Sequence, residues 1–186
     1  MRAGTLFSDL RALLETTEPA SLGPERRAEA LSIEALDAKL NPAFQDIRLT
    51  PALKNLLRAT IYLWHDHLDA AHEIAQAIET ADGSLLHAIM HRREPDFSNA
   101  KYWFRRVGSH PSFLSLGMRA GEYLARNSQG DLQSRLLPNK TWDPFAFVDA
   151  VEDASEGQFV AAAPMLREVQ KLEFESLLEN LVNRIL

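Results

Sequence analysis

Apolar residues recur at a helical period through nearly the whole chain, and no alternating strand pattern of useful length competes. Ser8 is a candidate cap for a short first helix. Pro24 suits the first turn of another, and Ser32 caps a stretch that stops before Asn41-Pro42. Thr50-Pro51 is a stronger start, after which Leu53, Leu56, Leu57, Thr60, Ile61 and Trp64 share one face. A break at His65-Asp66-His67 leads to a helix with Leu68, Ala71, Ala75 and Ile78 inward, ending near Asp82-Gly83. Ser84 opens the next helix, which places Leu85, Leu86, Ala88 and Ile89 inward and stops at Glu94-Pro95. From Ser98 to Val107, Ala100, Trp103, Phe104 and Val107 form a stripe, with Gly108 as the C-terminal signal. A helix follows Pro111, a long connection with one turn inside it spans 127–140, and Asp143-Pro144 starts a helix that ends near Gly157. Pro164 begins a long C-terminal helix.

The pattern predicts an all-α domain of packed antiparallel helical hairpins. It would be one unit over 1–186, with N-terminal helices over 1–49, a polar-rich hairpin core over 50–111 and C-terminal helices over 112–186. The two central hairpins match at an offset of 29 residues: Leu57 and Ala59 align with Leu86 and Ala88, and Ala71 with Ala100. This small-residue spacing, over about 53–107, resembles that of tetratricopeptide-type repeats, in which alanines let paired helices approach closely. A chain of 186 residues with 46% hydrophobic and 25% charged residues is long and apolar enough to form its own core.

Cysteine is absent, which excludes disulfides, thiolate metal sites and a cysteine nucleophile and fits a reducing compartment, so a cytoplasmic location is expected. The first residues make neither a secretory core nor a transit peptide, and no apolar run approaches the ~20 residues of a membrane span. A net charge of −6 argues against general nucleic-acid binding. That charge is uneven: 143–186 holds nine acidic and three basic residues, whereas 87–110 holds five basic and two acidic.

Candidate chemistry concentrates in this positive middle. All six histidines fall within the 46 residues from His65 to His110. Asp69, His72, Glu73 and Gln76 lie on one helical face, and His87 and His91 are an i, i+4 pair able to meet one ion. Asp69, His72, His87 and His91 are therefore the expected ligands of a divalent metal, with His72, His87 and His91 also the candidates for acid or base catalysis. Arg92, Arg93, Lys101 and His110 would hold a carboxylate or phosphate, and Tyr102 could add a hydroxyl. The competing reading makes these stripes solvated outer faces and lets Glu94 and Asp96 neutralise Arg92 or Arg93. On the last helix Leu166, Val169, Phe174, Leu177, Leu181 and Ile185 are apolar, yet Gln170 and Glu173 fall in the same arc. A buried Glu173 needs an arginine, a histidine or a ligand, and the positive segment could supply either a structural ion pair or a ligand site.

Familiar enzyme patterns are incomplete. His65-Asp66 resembles the pair of HD-domain phosphohydrolases, but no histidine precedes it. His87-Ala-Ile-Met-His91 has zincin-like spacing without a glutamate after the first histidine. There is no phosphate-binding glycine loop and no Gly-x-Ser-x-Gly elbow. The stretch from His87 to Pro111, with Asp66 to His72 upstream and Trp142-Asp143-Pro144 and Leu166 to Leu178 downstream, resembles a helical family of bacteria and fungi with no established activity. The resemblance covers most of 57–180 and implies a common domain. The expectation is a small anionic ligand bound in a His/Arg-rich pocket, with or without a divalent metal. The alternative is a helical-repeat scaffold, without catalysis, whose basic middle grips an acidic peptide.

Overall fold

The computed structural model describes residues 2–45 and 47–185. Among them are ten α-helices and no strand: α1 Arg2–Ala12, α2 Ile33–Gln45, α3 Pro51–Trp64, α4 Leu68–Gln76, α5 Ala81–Arg93, α6 Phe97–Val107, α7 Ser112–Arg126, α8 Gly130–Leu136, α9 Pro144–Ser155 and α10 Ala163–Val182. None is long and apolar enough to cross a membrane. α3 and α4 form one antiparallel hairpin and α5 and α6 another, with α4 packed on α5. Ala59, Ala71, Ala88 and Ala100 are all buried, so the aligned alanines lie inside the packed hairpins.

Local signals set several boundaries. The Thr50 hydroxyl accepts from the Leu53 N–H, and the Asp143 carboxylate accepts from Phe145 and Ala146 at the start of α9. Gly108 ends α6 at a φ of 61°, where a side chain would be strained. Other boundaries differ from the sequence pattern. Ser8 lies inside α1, and Pro24 belongs to a non-helical stretch over 13–32. α2 continues through Pro42 because Leu36, Leu40 and Phe44 are all buried and hold its last turn on the core. α5 begins three residues before Ser84, with Thr80 capping the Gly83 N–H. Gly83 therefore sits within a helix rather than ending one. A Cβ there would stand 2.0 Å from the Ile78 carbonyl oxygen, so only glycine lets the α4–α5 turn close. The expected connection over 127–140 contains α8, whose Leu132 and Leu136 are buried.

Two apolar clusters form the interior. One joins α1 to α6 with Phe174, Leu177, Leu178 and Leu181 of α10. The other joins α7, α8 and α9 with Leu166 and Val169 at the opposite end of α10. α5 is enclosed on every side: each residue from Asp82 to Arg93 is buried. A helix in that position has no outer face, so its charged side chains must find partners inside the protein.

Candidate functional site

The partners of the α5 side chains decide which candidate residues remain free to act. Arg92, with no exposed surface, donates to both Glu173 oxygens at 3.1 and 2.5 Å and to Gln170 Oε1 at 3.2 Å. Its guanidinium also lies 4.2 Å from the Phe147 ring centre. Gln170 in turn donates to the carbonyls of Ala20 and Ser21, tying the non-helical segment to α10. Arg93, equally buried, donates to Asp66 Oδ1 at 2.6 Å and to the Leu63 carbonyl. Asp66 accepts from Arg27 as well. Burial works against its charge, but the Arg27 and Arg93 contacts hold its carboxyl below the usual range.

Two other expected anion ligands are also engaged. Lys101 meets Asp149 at 2.6 Å and Glu152 at 3.1 Å, first of all the Asp149 hydrogen bond holding its ammonium above the ordinary value. His110 lies between Asp82 at 3.0 Å and the Ser112 hydroxyl at 2.7 Å. Asp82 also accepts two 2.6 Å bonds from Arg184. Despite burial, the bonds from His110 and Arg184 lower its carboxyl to about 2. Tyr102 is 49% exposed, with its hydroxyl 3.5 Å from Arg106. The structure therefore does not gather Arg92, Arg93, Lys101, His110, Tyr102 and Glu173 into one pocket. All four possible cations among them, Arg92, Arg93, Lys101 and His110, face carboxylates or hydroxyls of the chain itself, and Glu173 is the partner of Arg92.

His72, His87 and His91 do meet. The His72 ring centre is 4.9 Å from that of His87 and 5.6 Å from that of His91, while His87 and His91 are 6.0 Å apart and nearly parallel. The i, i+4 spacing on α5 sets the second pair, and α4 brings in the half-buried His72. Trp103 of α6 stacks flat on His87 at 4.1 Å and 7°, and Arg106 lies 5.2 Å from the Trp103 ring centre. His91 donates from Nδ1 to Glu94 at 3.1 Å, and its Nε2 accepts from Asn99 at 3.2 Å. Nδ1 of His87 is buried without a hydrogen-bond partner.

This packing changes the chemistry of the rings. Burial, followed by the like-charged neighbours His72 and His91, pushes His87 down to about 4. Burial also lowers His91, against the opposing pull of Glu94. Both rings are therefore neutral at pH 7 and able to accept a proton or a hydrogen bond.

Among the described residues, no group of three or more histidine, aspartate and glutamate side chains is arranged to hold a metal ion. Asp69, His72, His87 and His91, the expected metal ligands, do not form such a group. His87 lies flat on Trp103, and His91 spends Nδ1 on Glu94. Asp69 is exposed and lines a separate recess of about 420 Å³ with Arg26 and His67.

Sequence reasoning assigned Trp103 to the core stripe. It is half-buried and presents its ring to His87. Asn99 and Arg106 were missed, although 99, 103 and 106 have the i, i+4, i+7 spacing of one helical face. Asp82, Ser112 and Arg184 carried no such signal, because 102 residues separate Asp82 from Arg184. Comparison with known protein families, with curated proteins and with solved structures finds no match to this chain.

Proposed function

We propose that the chain binds a small anionic ligand at the imidazole cluster of α4, α5 and α6. The carrying observation is the convergence of the His72, His87 and His91 rings, whose centres lie 4.9, 5.6 and 6.0 Å apart. Such crowding disfavours protonation because each added charge repels the next. An anion reverses the balance, since carboxylate or phosphate oxygens accept from imidazolium N–H groups and offset their repulsion. Arg106 at the exposed edge adds a cation, and the Trp103 face gives an organic ligand a flat surface. Binding then draws protons onto the cluster.

The acidic-peptide scaffold is less well supported, because Lys101 already faces Asp149 and Glu152, and Arg92 and Arg93 are enclosed. Calorimetry with citrate and with pyrophosphate, in buffers of different ionisation heat, tests the anion reading. Binding should come with net proton uptake and be roughly tenfold tighter near pH 6 than near pH 8. The His87→Ala, His91→Ala double variant should lose it while unfolding cooperatively. Unchanged affinity in that variant, or no pH dependence, would overturn the assignment.

A further inference from the structure

Ser112, His110 and Asp82 lie in a line of hydrogen bonds away from the imidazole cluster, and all three are buried. The proton positions follow from the partners. His110 Nδ1 faces two donors, the Ser112 hydroxyl at 2.7 Å and the Ser112 N–H at 3.3 Å, so it carries the lone pair. The ring proton then sits on Nε2 and is donated to Asp82, which Arg184 holds in place from its other side with paired bonds. A base oriented by a carboxylate and aimed at a serine hydroxyl is the arrangement that activates a nucleophile, here with the two ring nitrogens exchanged relative to the usual serine hydrolase order.

Ser112 opens the 15-residue α7 and lines a groove of about 290 Å³ between α7 and α10. Ser176 of α10 lines the same groove. It is 1% exposed, and its hydroxyl has no hydrogen-bond partner. Leu114 and Met118 form one wall of that groove and also one wall of a larger apolar trough, about 650 Å³, floored by Gly117, Gly121 and Trp142. They are 76% and 62% exposed, an unusual position for two large apolar side chains one helical turn apart.

The geometry points to an esterase site: Ser112 is the nucleophile, His110 the base, Asp82 its orienting carboxylate, and the Leu114–Met118 ridge guides an apolar acyl chain into the trough. The Ser112 oxygen bonds to the carbonyl carbon as its proton passes to His110 Nδ1, and Ser176 donates to the carbonyl oxygen as negative charge develops there. The carbon–oxygen bond to the alcohol breaks, and the departing alkoxide takes the proton from Nδ1. Water adds to the acyl-serine, giving a proton to Nδ1. The carboxylic acid leaves, and the serine oxygen recovers that proton.

The full chain should react with an octyl fluorophosphonate to give a single adduct, placed on Ser112 by peptide mass mapping. Hydrolysis of p-nitrophenyl octanoate should fall at least about 100-fold in Ser112→Ala and in His110→Gln, with melting curves still cooperative. Octanoate should be cleaved about tenfold faster than acetate, and Leu114→Asp should erase that preference. No adduct on the unaltered chain, an adduct on another residue, or full octanoate hydrolysis in Ser112→Ala would overturn the nucleophile. Equal rates for the two esters would overturn the acyl trough. The labelling result on the unaltered chain decides the matter even if a variant fails to fold.

Discussion

Around α5 the charged side chains are enclosed and paired, whereas along α7 two large apolar side chains stand in solvent. The contrast arises from position in the fold. α5 lies inside a shell of helices, so Arg92 and Arg93 must meet Glu173 and Asp66 or leave a charge in low dielectric. α7 lies at the edge, where Leu114 and Met118 face open grooves. In the first region polar chemistry is spent on holding the structure, apart from the crowded imidazoles. In the second, surface is left free for a visiting molecule.

The largest effect that tests this division comes from opening an enclosed pair. Glu173→Leu leaves Arg92 buried without its carboxylate and should cost about 3–5 kcal/mol in urea unfolding. Adding Arg92→Met should recover most of that loss. If the double variant is no more stable than the single one, the pair is not the reason for the loss.

Within α5, acid should affect His87 and Asp82 in different pH windows. His87 is neutral in the folded protein, with its value lowered from 6.5 to about 4. Its contribution is therefore full above about pH 6.5 and fades as pH falls towards 4, a change of about 3 kcal/mol. His87→Phe, which keeps the stack on Trp103, should flatten that part of the stability curve; an unchanged slope removes His87 as its cause. Asp82, lowered from 3.8 to about 2, keeps its contribution down to about pH 4 and loses it as pH falls through 2. Asp82→Asn should cost about 2 kcal/mol at neutral pH and little near pH 2, as read from urea midpoints at both. At the far end of the scale, Leu114→Ser should change stability by less than about 0.5 kcal/mol, because its side chain is already in water. A larger loss by thermal melting would mean that Leu114 supports the fold.

The sequence pattern made visible what is fixed locally. Thr50-Pro51, Asp143-Pro144 and Gly108 mark real helix ends because caps and positive φ act within a few residues. The spacing of His87 and His91 likewise predicts a shared α5 face. Reading the polar positions of α5 as an outer face failed because amphipathic spacing reports a helix that has an outside, and α5 has none. The 13–32 segment was misread for a similar reason. Its conformation rests on Arg27 with Asp66 and on Gln170 with the Ala20 and Ser21 carbonyls, partners 39 to 150 residues away. The meeting of His110 with Asp82 depends on the α5 to α7 arrangement, and Gly83 looked like a terminator although it serves as a close contact.

α10 passes through both apolar clusters, with Leu166 and Val169 at one end and Phe174 to Leu181 at the other. Loosening either half therefore strips a wall from the other, and the slowest-exchanging amides should lie along this helix and open only with global unfolding. It follows that occupancy at the imidazole cluster or beside Ser112 will be felt by the whole molecule as a rise in one melting transition. The linkage is about 2.7 kcal/mol at a hundredfold excess of ligand over its Kd.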